Sequence, residues 1–193
     1  MEVKELKKLF GNNTAFTEGF REYAPGFGGG SRRGHGFHYF PVNGVDCKKA
    51  IWLGLDDPKT ENLNWISDLF PNIEVLELRD NKQQKLCSLD GIEKLENLKS
   101  IVINTQFDRE YKLTINKLNP KITELLVWNT KIDLETLNKE MHAIHLCETR
   151  VNNVHSLKSI NCKRIKIYSL KDLEGNPIGI DNFEGEFKDF KLS

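Results

Sequence analysis

Apolar residues recur along this chain in one fixed phrase. The stretch from Ile73 to Asn81 reads IEVLELRDN, with Ile73, Leu76, Leu78 and Asn81 in the marked places of L-x-x-L-x-L-x-x-N. The apolar part of the frame returns at Leu98, Ile101 and Ile103, at Ile122, Leu125 and Val127, at Met141, Ile144 and Leu146, and at Cys162, Ile165 and Ile167. Ala50, Leu53 and Leu55 make a weaker copy upstream, and Phe187, Phe190 and Leu192 an expected last copy downstream. The second marked place falls at 53, 76, 101, 125, 144, 165 and 190, in steps of 23, 25, 24, 19, 21 and 25 residues. So many matches held in phase mark an internal repeat.

Each L-x-L core alternates with period two, which is the pattern of a strand with one buried face. The residues between two cores must carry the chain back to start a parallel neighbour. Those return segments have apolar stripes of their own. Leu63, Ile66 and Phe70 fall at helical spacing, as do Leu134, Leu137 and Met141 behind Asp133, an expected N-cap. Val151, Val154, Leu157 and Ile160 step by three, which suits a 3-10 return. One such unit buries too little alone, and stacking covers it.

The stretch Leu86–Ile103, LCSLDGIEKLENLKSIVI, resembles the leucine-rich repeats of bacterial proteins, and the resemblance spans residues 47–170. It implies an α/β solenoid with a curved parallel sheet on the concave side and helices or 3-10 turns on the convex side. In that family the ninth-place Asn ladders to neighbouring backbone. Here only Asn81 matches, and the other places hold Pro58, Gln106, Thr130, Thr149 and Leu170, which implies an irregular solenoid.

A repeat array needs covered ends. Residues 1–46 read as an N-terminal cap, with helical stripes at Val3, Leu6 and Phe10 and at Phe16, Phe20 and Tyr23. Residues 47–173 are the repeats. Residues 174–193 are the C-terminal cap, where Phe183, Phe187 and Phe190 form an aromatic plug. Between cap and repeats lies GFGGGSRRGHGFH, residues 26–38. Its glycines with Arg32 and Arg33 have the makings of an anion cradle, yet neither nucleotide-binding glycine motif is present, and the plain reading is a surface loop.

Composition removes several functional classes. Lys plus Arg and Asp plus Glu both number 28, so the formal net charge is zero, which speaks against nucleic acid as the partner. A local basic end at Arg164, Lys166 and Lys171 is the one feature in its favour. No apolar run reaches membrane length, and the charged N-terminus has no signal-peptide core. The expectation is a cytoplasmic protein, monomeric on its own. Cys47, Cys87, Cys147 and Cys162 are widely spaced, which reads as free thiols rather than a zinc site. His142 and His145, three apart on a strand, face opposite ways and suit no shared metal. No Ser–His–Asp set or carboxylate pair appears, so neither catalysis, cofactor nor metal is expected.

The frame also assigns the outward side chains of the sheet: Trp52, Gly54 and Asp56, then Val75, Glu77 and Arg79, then Ser100, Val102 and Asn104, then Glu124, Leu126 and Trp128. Ala143, His145 and Cys147 follow, then Arg164, Lys166 and Tyr168. An apolar centre at Val102, Leu126 and Trp128 between charged flanks has the pattern of an interface core and rim. The expected binding set is Trp52, Glu77, Arg79, Val102, Asn104, Leu126, Trp128, His145, Arg164, Lys166 and Tyr168. The functional expectation is a non-catalytic protein-interaction module, of which an inhibitor or immunity-type protein is one form by analogy with small bacterial repeat proteins. The competing reading is an enzyme or toxin with its site in the N-terminal region, in the Gly-rich loop and at Cys47, near His35, His38 and Asp46, and with the repeats as a targeting arm.

Overall fold

The computed structural model describes residues 15–17, 38–39, 47–79, 85–104 and 113–190, with 15–17, 38–39 and 104 described as backbone. In chain order the strands are β1 (Ala15–Thr17), β2 (His38–Tyr39), β3 (Trp52–Asp56), β4 (Val75–Arg79), β5 (Ser100–Asn104), β6 (Thr114–Ile115), β7 (Glu124–Trp128), β8 (Lys131–Ile132), β9 (Glu140–Cys147), β10 (Arg150–Val151), β11 (Asn161–Tyr168) and β12 (Phe183–Glu186). Among the described residues the fold is α/β, with a mostly parallel sheet and little helix.

The main sheet runs in the order β12-β11-β9-β7-β5-β4-β3-β1-β2. From β3 to β11 every pairing is parallel. The register follows the sequence frame place by place. Leu53 pairs with Leu76, Leu76 with Ile101, Ile101 with Leu125, Leu125 with Ile144, and Ile144 with Ile165. All six are fully buried, and the third-place column, from Leu55 through Leu78, Ile103, Val127 and Leu146 to Ile167, is at most 2% exposed. A slip of one residue would turn these columns outward, so burial itself fixes the register.

The returns differ from the helices that spacing suggested. The one α-helix among the described residues is α1 (Ile66–Leu69), a single turn. Leu134–Thr136 is a 3-10 turn, and Met141 belongs to β9 instead of a helix. Asp133 does cap it, accepting from the Glu135 N–H at 3.0 Å. Val154–Ser159 is the expected 3-10 return. Between β7 and β9 the chain must also supply β8, which leaves room for a 3-10 turn but not for an α-helix. β6, β8 and β10 build a second small parallel sheet, in the order β10-β8-β6.

Asparagines tie one return to the one before it, but not from the ninth place. Asn72 donates to Lys48 O at 2.8 Å, the buried Asn119 to Leu95 O at 3.0 Å, and Asn138 to Pro120 O at 2.6 Å. At the ninth place Thr130, Thr149 and Leu170 are all buried. The residue directly after a strand turns the chain out of the sheet with positive φ at Asp57, Asn129, Glu148 and Ser169. Gly91 does the same before a 3-10 turn, and a Cβ there would lie 2.4 Å from Leu63 O.

Both ends of the sheet carry antiparallel strands. β1 pairs with β3 and with β2, so Phe16 is in a strand and not in the expected helical stripe. The other N-terminal helical positions, and residues 26–37 of the Gly-rich segment, lie outside the described residues, as does Asn81. β12 pairs antiparallel with β11, and Phe187–Asp189 is a 3-10 turn, so residues 187–190 do not form a further parallel repeat strand. The aromatic plug is present: Phe190 lies 5.4 Å from Phe183 and 6.0 Å from Phe187 between ring centroids, and all three pack on the core.

Candidate interaction surface

The outward row of the sheet is where the sequence places a binding face, and much of it is closed to solvent. Val102 and Leu126, the expected exposed centre, are buried at 4% and 5%. Trp52, Glu77 and His145 are buried as well. The side chain of Asn104 lies outside the described residues. The remaining members keep accessible surface: Arg79, Trp128 and Lys166 are half-buried, and Arg164 and Tyr168 are exposed.

Local packing explains the burial at each end of the row. The Trp52 ring lies across Gly54, where an added Cβ would come within 2.6 Å of it. Arg79 stacks on that ring at 5.1 Å, a cation–π contact, and its Nε lies 3.3 Å from the Glu77 carboxylate. The three side chains thus pack on one another along the sheet instead of projecting from it. Across β7 and β9, Trp128 packs against His145 with centroids 4.4 Å apart. His145 Nε2 lies 2.7 Å from Cys147 Sγ.

A thiol beside an imidazole is the arrangement of a nucleophile and its base. The electrostatics here oppose that use. Burial, reinforced by the Lys166 charge, lowers the His145 pKa to about 4 against the opposing effect of Glu184. Burial raises the Cys147 thiol to about 11. Both groups are neutral at pH 7, and Cys147 is 3% exposed. The pair is a neutral hydrogen bond inside the face, without the thiolate that nucleophilic chemistry needs.

His142 sits apart from His145. With Cys162, Lys163, Arg164, Glu186 and Lys188 it lines a cleft of about 570 Å3 at the start of β11. Sequence reasoning did not find this cleft, because Glu186 and Lys188 arrive through the antiparallel β12. Burial raises the Cys162 thiol, which donates to Arg164 O at 3.0 Å. Lys166, by contrast, pairs with Glu184 at 2.9 Å.

All four cysteines are free thiols, and Cys47 sits half-buried in a 3-10 turn. The structure shows His38 only as backbone in β2, and His35 and Asp46 lie outside the described residues. Among the described residues, no three His, Cys, Asp or Glu side chains come together to hold a metal, and no helix is long and apolar enough to cross a membrane. Comparison of the chain with protein-family models, curated proteins and solved structures finds no match in any of the three.

Proposed function

We propose that this chain is an irregular solenoid of the leucine-rich-repeat type that works as a protein-interaction module, taking its partner on the outward sheet face near β11. One observation carries the reading: the accessible part of the row holds Trp128 on β7 and Arg164, Lys166 and the 50%-exposed Tyr168 on β11, with β9 between the two strands. Trp, Tyr and Arg are the residue types that most often dominate binding energy. Their backbone is held on paired strands, so the order lost on binding is that of the side chains alone. An inhibitor or immunity-type role is one form such a module takes, and the partner's cell of origin is where to seek it.

The test is capture from native cells with the wild-type chain beside Tyr168→Ala and Trp128→Ala, followed by mass spectrometry. A protein retained by wild type should lose about 1–2 kcal/mol of affinity with either variant, a hot-spot magnitude. A partner set and affinity unchanged in both variants sinks the proposal.

A further inference from the structure

The sheet stops at β12, and the outer side of that strand has no neighbour among the described residues. β12 pairs with β11 alone, and no further described strand follows it. Its backbone makes no other hydrogen bond to a described residue. The 3-10 turn that follows packs back against β11. Alternate N–H and C=O groups of β12 therefore point out of the sheet, which makes this edge a template for an added strand.

The register fixes what such a strand would meet. Glu186 and Glu184 stand opposite Arg164 and Lys166 and share the outward face, while Phe183 and Gly185 stand opposite Ile167 and Ile165 and share the inner one. On the outward row the cations lie on the β11 side and the carboxylates on the free side. From residue 172 to 190 the chain carries six carboxylates and a single cation, Lys188, although the whole chain is neutral. Asp181, just before β12, and Asp189, at the end of the turn after it, are exposed. Lys166 and Lys188 each contact one oxygen, Oε2, of Glu184 and Glu186, at 2.9 and 2.6 Å. Both carboxylates keep much of their surface, 49% and 63%, so a second cation can reach them from the free side. On the inner row the Phe183 ring lies against Gly185, where an added Cβ would come within 3.1 Å of it. An aromatic ring at that place favours a β-branched residue beside it.

We infer that the free edge of β12 receives an extended basic segment of the protein partner by strand addition, with lysine or arginine beside Glu184 and Glu186 and apolar residues beside Phe183. This rests on the interaction reading and names the partner's chemistry and its mode of binding. In this mode backbone hydrogen bonds supply affinity and alternate side chains supply selectivity. The added strand would continue the outward face past Arg164 and Lys166. A second copy of this chain is a poor occupant. Two copies of β12 paired antiparallel about Glu184, Gly185 or Glu186 set glutamate opposite glutamate, which is unfavourable. A basic segment in the same place meets opposite charge instead.

The probe is a fluorescently labelled hexapeptide of alternating lysine and valine, followed by anisotropy with the full chain at low and high salt. Wild type should bind it, more weakly at high salt. The same peptide methylated on every backbone nitrogen keeps its charges but cannot donate to the edge, and should bind about tenfold more weakly. A peptide of alternating glutamate and valine should not bind. Glu184→Gln with Glu186→Gln should weaken binding about fivefold, the loss of two exposed cross-strand charge pairs. Equal binding of the plain and methylated peptides, equal binding by wild type and the double variant, or none by wild type at millimolar peptide overturns the inference. So does a wild-type dimer in sedimentation that the peptide dissociates, which would make the edge an interface between copies. Partner capture separates this inference from its foundation. A partner lost with Tyr168→Ala and held at wild-type affinity by the double variant overturns the strand-addition assignment and leaves the interaction module standing. Peptide binding as expected, beside capture indifferent to Tyr168→Ala and Trp128→Ala, keeps the edge and overturns the module.

Discussion

Acid should destabilise this fold through one side chain. His145 is 1% exposed, packed against Trp128 and hydrogen-bonded to Cys147, and its pKa falls from 6.5 to about 4 mainly because burial penalises the imidazolium. The unfolded chain takes up the proton more readily than the folded one. Stability is therefore complete above pH 6.5 and is lost as pH falls toward 4. The difference in pKa corresponds to about 3 kcal/mol once both values are passed, and to about 2 kcal/mol at pH 5. The assay is urea unfolding at pH 7.5 and pH 5 for wild type and for His145→Asn, which is neutral at both. Carboxylates and the other histidines titrate in both proteins, so the difference between the two pH dependences isolates His145. A direct NMR titration of the imidazole should find it still neutral at pH 5. Wild type and variant losing the same stability between the two pH values, within about 0.5 kcal/mol, would refute the account of His145 and Cys147 as a buried, neutral pair.

Two threonines in the same repeat place should respond in opposite directions to one substitution. Thr130 Oγ1 is buried without a hydrogen-bond partner, so Thr130→Val should stabilise by about 1 kcal/mol, while Thr149 Oγ1 donates to Cys147 O at 2.9 Å and Thr149→Val should cost about 1 kcal/mol. Chemical denaturation reads both, and a common sign would refute the assignment. Gly91→Ala combines φ of +109° with a Cβ 2.4 Å from Leu63 O, so it should destabilise by more than about 2 kcal/mol, checked by thermal unfolding, where an unchanged melting temperature would refute the clash.

The inner face of the sheet was readable from sequence because it is periodic. Leu53, Leu76, Ile101, Leu125, Ile144 and Ile165 sit in one phase of the repeat and form one buried column. The outer face was assigned correctly as a face and wrongly as an open one. Its burial depends on pairs that no local period encodes, such as Trp52 lying over Gly54 beneath Arg79, or Trp128 beside His145. Return segments failed for a different reason. The spacing of Leu134, Leu137 and Met141 fits a helix, but it fits equally a 3-10 turn followed by the first buried residue of the next strand. With steps as short as 19 residues the second solution is the one that fits the chain length.

The same contrast explains where accessible chemistry survives. β11 has eight residues, and β12 pairs with only the four from Arg164 to Ile167. Tyr168 lies just past one end of that pairing, followed by Ser169 with φ of +54°, which turns the chain away and leaves the ring half-exposed. Cys162 and Lys163 lie past the other end, where the cleft opens. A short antiparallel strand covers the middle of the last parallel one and leaves both its ends accessible. Each end then offers a different chemistry, an aromatic side chain at one and the exposed Lys163 ammonium at the other, with Arg164 and Lys166 between them. Phe183, Phe187 and Phe190 pack together on the core beside β11, so the apolar edge is closed while these polar and aromatic groups are not. The strand that closes the sheet and the accessible groups thus meet on β11.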